Sequence, residues 1–376
     1  MNLRCVQKEG AAFAYLSMKG RSHHPPTAPY QVGSIRAGGV PIDRFVIVLQ
    51  ENHSFDNYFG TYPNADGTTG KNLCLPRAPG SAQCVKPFHD SNRTPAEMSH
   101  NWETAHSAYD GGRMDAFVYS EANTETMGFF DRSDLPRYWA AADQFVLCDR
   151  YFTSVMSESA PNHLFLVAGT AGGLLDNNVP STFNFPPIFQ SLDQQRVSWR
   201  CYGFSTWFER FAYVQGSPAV QRNFVPPDQF AQDLAAGALP QVCWVIGAPG
   251  GTEHPPQNIQ TGQNSVLDAV VNPVGTSAYW NSTAMVVTWD DYGGFFDHVP
   301  PPQVDPFGYG FRVPALLLSP YAKAGFVDHS IYDHTSILRS IENRFGIPPL
   351  AARDSAANDL TNAFDFAQQP RRFIPL

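Results

Sequence analysis

The sequence predicts an α/β protein, a three-layer α/β/α sandwich around a mostly parallel sheet. Short continuous apolar runs recur along the chain and are bounded by polar residues, which is typical of strands buried on both faces. Helical segments lie between these runs, and strands that alternate with helices favour a parallel sheet covered by helices. With 376 residues and 43% hydrophobic residues, the chain can bury a core of that size.

Five apolar runs are the predicted strands: residues 45–49, 197–204, 242–247, 284–288 and 313–318. Pro314 weakens the last of them, because proline cannot donate to a sheet ladder. Helices are predicted over residues 136–143 and 161–168, each with proline in its first turn. A third helix is capped by Asp333 and stopped by Gly346, and its apolar stripe comprises Ile337, Leu338, Ile341 and Phe345.

Composition limits the class of partner and the compartment. The formal net charge of −9 argues against a nucleic-acid binder but leaves an anionic substrate open, since a bound metal reverses the local field. No run of 18 apolar residues occurs, so no integral membrane segment is expected. Residues 11–16 are too short an apolar stretch for a signal peptide, so either the protein is cytosolic or its leader is missing. We expect residues 1–40 to be a weakly structured extension and residues 41–376 to form one folded domain.

Of the six cysteines, Cys74 and Cys84 flank a loop rich in proline, glycine and serine. They form either a disulfide, which would favour an oxidising compartment, or two free thiols. No C-x-x-C pair occurs, which argues against a zinc ribbon or a thioredoxin-type site.

Three polar clusters follow apolar runs, and ligands of open α/β sheets bind at the carboxyl ends of strands. Glu51 and Asn52 offer hard oxygen ligands for a divalent cation, or they simply start a capped loop. Asp290 and Asp291 repel each other unless a cation lies near them, or they form an ordinary acidic turn. Ser159 precedes a helix whose positive end could receive a phosphate, although a serine there is usually only an N-cap.

Four segments in order resemble one family: ENHSFDNYFGTYP from Glu51, SVMSESAPNHLFLVAGT from Ser154, TWDDYGGFFDHVPPP from Thr288 and DHTSILRSIENRFG from Asp333. They look like the phosphoesterase family of bacterial phospholipases C and acid phosphatase A, in the alkaline-phosphatase-like superfamily. The resemblance covers about residues 42–350. It implies an alkaline-phosphatase-like fold and hydrolysis of phosphate esters.

The resemblance also implies roles for single residues. One divalent metal ion would be held by a set of five residues: Glu51, Asn52, Ser159, Asp290 and Asp291. Ser159 would be the nucleophile, and His254, His100 and His298 would contact the phosphate or the leaving group. The chain departs from the family pattern at Glu158, where a proline is usual, and at His163, where an arginine is frequent.

The expected function is metal-assisted hydrolysis through a phosphoserine intermediate, with a phospholipid as the substrate class and a secreted or periplasmic location by family. The aromatic cluster from Phe204 to Phe211 favours a pocket wall that accommodates lipid. The alternatives are an acid phosphatase acting on monoesters, a sulfatase carrying a formylglycine at position 159, and a non-catalytic binding protein on the same fold.

Overall fold

Every predicted apolar run supplies a strand of one central sheet in the computed structural model, which describes residues 39–203, 207–248 and 251–376. The extension predicted over residues 1–40 lies outside the described residues except for positions 39 and 40. Phe204 of the aromatic cluster also lies outside them. The eight strands of the sheet are β1 (Arg44–Gln50), β6 (Val146–Cys148), β7 (Trp199–Tyr202), β8 (Phe224–Val225), β9 (Val242–Ile246), β10 (Thr283–Trp289), β11 (Ala315–Leu318) and β12 (Phe326–Asp328).

The order across the sheet is β12-β6-β11-β10-β1-β9-β7-β8. All neighbours are parallel except β11, which runs antiparallel to β10 and β6. The mostly parallel sheet was therefore predicted correctly. Strands β1, β9 and β10 are completely buried apart from the first residue of β1, as continuous apolar strands of a covered sheet must be. Short strands β2 (Leu75–Pro76) with β3 (Cys84–Val85) and β4 (Phe88–His89) with β5 (Gly128–Phe129) form two small sheets.

The α-helices in the described part of the chain are α1 (Phe55–Phe59), α2 (Trp102–Tyr109), α3 (Phe117–Ser120), α4 (Pro136–Gln144), α5 (Ser159–Ala168), α6 (Ile188–Gln194), α7 (Ala212–Gln215), α8 (Pro218–Gln221), α9 (Gln229–Ala235), α10 (Ile259–Val266), α11 (Asn272–Thr276), α12 (His334–Phe345) and α13 (Ala352–Ala356). The three predicted helices correspond to α4, α5 and α12. None of these helices is long and apolar enough to cross a membrane.

Helix ends follow the predicted signals. Asp333 caps α12 through a capping box with Ser336, and Gly346 ends the helix in the left-handed conformation with φ 66°. Helix α5 begins two residues earlier than predicted, at Ser159, so Pro161 lies within its first turn. Cys74 and Cys84 are joined by a disulfide across the loop, whereas Cys148, Cys201 and Cys243 are buried free thiols.

Candidate active site

The two predicted pairs of oxygen ligands, Glu51–Asn52 and Asp290–Asp291, meet at one edge of the sheet. Strands β1 and β10 are parallel and in register to their last residues, Gln50 and Trp289, so Glu51 and Asp290 leave the sheet side by side. The backbone N–H of Asn52 donates to Asp290 Oδ1 at 3.2 Å. The predicted convergence of these segments follows from the sheet register alone.

Gly293 makes this convergence possible. It has φ 61°, and a Cβ at this position would lie 2.2 Å from the backbone oxygen of Asn52. A side chain here would collide with the loop that carries Glu51 and Asn52, so only glycine allows the two turns to pack together. Asn52 itself has φ 67°, a left-handed conformation that asparagine tolerates better than most residues.

Ser159 lies in the same cluster. It is the first residue of α5, and its hydroxyl donates to Asp291 Oδ2 at 3.0 Å. The N-terminus of α5 carries a partial positive charge that favours an anion. From the sequence, Ser159 could have been an ordinary N-cap. In the structure the N-cap of α5 is Glu158, and the Ser159 side chain is directed at the paired aspartates.

Asp290 and Asp291 differ in their surroundings. Asp290 accepts hydrogen bonds from His163 Nε2 at 3.2 Å and from the backbone of Asp291 at 2.7 Å. Burial opposes ionisation, but the His163 contact outweighs it, and the pKa of Asp290 is lowered. Burial raises the pKa of Asp291 to about 7, with the charge of Asp290 acting in the same direction. Burial and the two aspartates raise the pKa of Glu51 to about 8.

These features fit a bound cation. The side-chain oxygen Oδ1 of Asn52 is buried and has no hydrogen-bond partner, which is unusual for a buried polar atom. Asn52 lies in the loop that also carries Glu51. The carboxylate of Glu51 lies at the same edge of the sheet as those of Asp290 and Asp291. Carboxylate and amide oxygens without enough donors are the ligand type that hard divalent cations prefer.

The described residues contain two tight groups of acidic and histidine side chains whose ligand atoms all lie within 4.8 Å of one another: Asp56, Asp297 and His298, and His89, Asp131 and Asp134. Glu51, Asp290 and Asp291 do not form a third such group. The first group is neutralised by Arg312, which bonds Asp56 at 3.0 Å and Asp297 at 2.9 Å.

Two of the three predicted histidines reach the site. His100 Nε2 lies 3.2 Å from Asn52 Nδ2 and 3.9 Å from Asp291 Oδ2, and its Nδ1 meets the Met98 carbonyl at 2.9 Å. Burial acts to lower the pKa of His100, but the negative charge of Asp291 and the smaller effects of other neighbours together outweigh burial, so the pKa of His100 is raised. His254 Nε2 lies 3.8 Å from Glu51 Oε2, and its Nδ1 meets the Pro255 carbonyl at 2.7 Å. The two rings are 6.4 Å apart, and in each a backbone carbonyl fixes the nitrogen that faces away from the carboxylates.

The structure places His298 elsewhere. Its Nδ1 lies 2.6 Å from Asp56, its Nε2 contacts Lys71 and Asp66, and Arg312 packs against it. None of its contacts is with Ser159 or the predicted metal ligands. The turn at Gly293 and Gly294 directs the chain away from the acidic cluster before it reaches residue 298. The resemblance alone did not show how far from the cluster His298 would lie.

Two buried histidines that were not in the predicted site contact Asp290. His163 bonds its carboxylate, while His334 Nε2 donates to its backbone oxygen at 3.0 Å. The sequence offered one signal, since His163 stands where the family often has arginine. His334 was expected only in the first turn of its helix, where it does begin α12.

A cavity of about 830 Å³ opens beside the cluster. Glu51 and His163 line it on the side of the site, and Trp207, Pro227 and Ile246 add apolar surface. In the predicted aromatic cluster, Trp207 thus forms part of the wall. Phe208 and Phe211 are buried in the core instead.

The comparisons with known proteins agree with the resemblance. A model of the phosphoesterase family matches residues 42–348. Phospholipase C A of Mycobacterium tuberculosis is 30% identical, over 89% of this chain and 79% of the relative. The non-hemolytic phospholipase C of Pseudomonas aeruginosa is 31% identical, over 89% of this chain and 58% of that protein. A solved structure of a protein in the alkaline phosphatase superfamily from Vibrio parahaemolyticus is 13% identical with a TM-score of 0.43, over 86% of this chain and 71% of that chain. The chain belongs to the phosphoesterase family and is a hydrolase of phosphoric esters.

Proposed function

We propose that this chain hydrolyses phosphodiesters of the phospholipase C type through a phosphoserine formed on Ser159. The observation that carries the proposal is the hydrogen bond from Ser159 Oγ to Asp291 Oδ2, 3.0 Å long, at the N-terminus of α5. A serine hydroxyl at this position has a proton acceptor beside it and the positive end of a helix behind it. The relatives named as phospholipases C support the reaction type.

One divalent cation is held in this proposal by Glu51, Asn52, Ser159, Asp290 and Asp291. The unpartnered Oδ1 of Asn52 and the raised pKa values of Glu51 and Asp291 support this ligand set. When bound, such a cation stabilises the serine alkoxide and offsets negative charge on the phosphoryl oxygens.

Three side chains have separate roles in the reaction: Asp291, His254 and His100. Asp291 accepts the hydroxyl proton as Ser159 Oγ attacks phosphorus, and the bond to the leaving oxygen breaks on the opposite side. His254 protonates that oxygen, and His100, held beside Asp291, binds the phosphoryl group. The phosphoryl group on Ser159 still carries the second ester group of the diester. Water then attacks its phosphorus, giving its proton to His254, and Ser159 recovers its own proton from Asp291. The products are an alcohol and a phosphate monoester.

The choice of diesters over monoesters depends on Glu158. Its carboxylate accepts from the backbone N–H of Asn177 at 2.6 Å, and its charge is one of those that raise the pKa of His100 against the effect of burial. It therefore lies close enough to act on a charged substrate. A second negative charge on a monoester would cost about 1 kcal/mol more at an effective dielectric near that of a protein surface. The apolar wall of the cavity also suits the organic group that a diester retains.

The first test compares kcat/KM for p-nitrophenyl phosphate, its phosphorylcholine diester and phosphatidylcholine between pH 5 and pH 8. We expect both diesters to be better substrates than the monoester. A Glu158→Gln variant should narrow the difference between the two p-nitrophenyl substrates about fivefold, the equivalent of about 1 kcal/mol. A tenfold preference for the monoester in the unaltered chain would instead make this an acid phosphatase.

We also propose a secreted or periplasmic location. The disulfide between Cys74 and Cys84 supports it, because such bonds persist in oxidising compartments. Thiol labelling of the protein taken directly from its native cells should leave Cys74 and Cys84 unmodified before reduction. Cell fractionation that finds the protein in the cytosol with both cysteines labelled would contradict the proposal.

A further inference from the structure

Glu253 is a carboxylate with no exposed surface that accepts four hydrogen bonds, all from neutral side chains. Its Oε1 accepts from the Tyr138 hydroxyl at 2.5 Å and from Gln50 Nε2 at 3.1 Å. Its Oε2 accepts from the Tyr58 hydroxyl at 2.8 Å and from Trp289 Nε1 at 3.1 Å. Among the described residues, no side-chain cation lies within 4.0 Å of it. Burying a carboxylate without a cation is costly, so a glutamate at this position calls for a reason besides packing.

The position of the donors along the chain gives that reason. Gln50 directly precedes Glu51, and Trp289 directly precedes Asp290. Glu253 itself directly precedes His254. One carboxylate thus ties together three chain segments at the residue before each of them enters the active site. A shift of any one segment would break hydrogen bonds to the other two.

The backbone of Glu253 is fixed as tightly as its side chain. Its φ of 69° is left-handed, which costs a non-glycine residue about 1–2 kcal/mol. Its carbonyl accepts from His53 Nε2 at 3.2 Å, and the His53 ring is stacked between Tyr58 and Phe295 at 4.3 and 4.9 Å. A Cβ at Gly262 would lie 2.0 Å from Glu253 Cγ, so the Glu253 side chain packs directly against the backbone of α10.

His254 has little support of its own. The nearest polar contact of its ring, apart from Glu51, is the carbonyl of the next residue, Pro255, and the ring is about a third exposed. The direction of the imidazole is consequently set by the backbone that leaves Glu253. Glu253 cannot touch a substrate, because it is completely buried.

We propose that Glu253 is a positioning residue that holds His254 in the orientation needed to protonate the leaving oxygen, while tying it to the ends of β1 and β10. This inference rests on the proposed function above, in which His254 is the general acid.

The experiment uses the Glu253→Gln variant, which keeps the shape of the side chain but replaces one acceptor oxygen with an NH₂ donor. Two diesters are compared, one with an alkyl leaving group that needs a proton and one with p-nitrophenolate, which leaves as a stable anion. Loss of general acid catalysis costs about 10²- to 10⁴-fold. We expect kcat/KM for the alkyl ester to fall about 10²-fold and kcat/KM for the p-nitrophenyl ester to fall less than about tenfold. The comparison uses kcat/KM because it reports only the steps up to departure of the alcohol, and so leaves out the later attack of water, in which His254 accepts a proton for both esters.

Four further variants separate positioning from stability. His254→Asn should show the same leaving-group dependence. The double variant Glu253→Gln/His254→Asn should be no slower than His254→Asn alone, because the two changes remove the same function. Glu342→Gln is the matched control: Glu342 is a fully buried glutamate of α12 whose ion pair is with Arg339, away from the site. It should leave the ratio of the two rates unchanged. Tyr138→Phe removes a single donor and should give the same pattern more weakly if Glu253→Gln does not fold.

An equal loss on both diesters in folded Glu253→Gln or Tyr138→Phe would overturn the proposal, as would a double variant that is much slower than His254→Asn. Failure of the unaltered chain to hydrolyse either diester would instead overturn the proposed function, so the two failures can be told apart.

Discussion

Replacing Ser159 with alanine is expected to reduce kcat about 10⁴- to 10⁶-fold, the range found when a serine hydrolase loses its nucleophile. The hydroxyl is the group that we expect to form the covalent bond, and it is held toward Asp291 at the start of α5. The fold should persist, because alanine is compatible with the first turn of a helix and the lost hydrogen bond is worth about 1 kcal/mol. Steady-state rates on the p-nitrophenyl diester, with circular dichroism as the check on folding, measure the effect.

The matched control is Ser157→Ala, two residues away. Ser157 Oγ donates to the carbonyl of Leu175 and has no contact with the acidic cluster. This variant should keep nearly full activity. Rapid acid quenching during turnover of the p-nitrophenyl phosphorylcholine diester, followed by peptide mass spectrometry, should find phosphorylcholine on Ser159. A dead Ser157→Ala variant, or phosphorylcholine on a different residue, would show that the nucleophile had been assigned to the wrong serine.

The arrangement of the acidic residues was predictable from sequence because it depends on strand ends. A continuous apolar run must be buried, and its first polar residues must therefore emerge at the sheet edge. Glu51 and Asp290 are such residues, and the parallel register of β1 and β10 brings them together. Ser159 was harder, since its sequence context fits an N-cap equally well. Only the observed path of the chain shows that Glu158 occupies the cap.

The parts that sequence did not predict depend on contacts between distant segments. The antiparallel direction of β11 follows from a crossover that no local pattern records. His163 bonds Asp290, 127 residues away along the chain, and Glu253 receives donors from residues separated by as many as 203 positions. His298 lies apart from the other predicted site residues for the same reason. Its partner Asp56, in α1, lies 242 positions away.

Removing divalent cations is expected to abolish most activity and to lower the melting temperature, with the thermal effect larger at pH 8 than at pH 5. In the folded chain the pKa of Glu51 is raised to about 8 and that of Asp291 to about 7, whereas their ordinary values are 4.5 and 3.8. Between these limits the folded chain binds protons that the unfolded chain has released. The free energy of unfolding of the metal-free protein therefore falls as the pH rises from about 4 to 8.

A bound cation replaces those protons, so its stabilising effect grows over the same pH range. At a cation concentration of 100 times the dissociation constant, binding stabilises the fold by about 2.7 kcal/mol, a shift of several degrees in melting temperature. Melting curves at pH 5 and pH 8, with a chelator and then with Mg²⁺, Mn²⁺ or Zn²⁺ in turn, measure it and identify the preferred ion. Activity should return with the ion that gives the largest increase in melting temperature.

Asp291→Asn separates the two consequences of a cation site. An amide at this position removes one of the repelling charges, so the metal-free variant should be more stable than the metal-free parent at pH 8. The same change removes a ligand and the proton acceptor of Ser159, so the variant should be inactive and its melting temperature should respond little to metal. Asp268→Asn, an exposed partner of Arg137 on the surface, is the control and should change neither property. If the chelated protein kept full activity, or if Asp291→Asn were destabilised without metal, the acidic cluster would be a structural feature rather than a cation site.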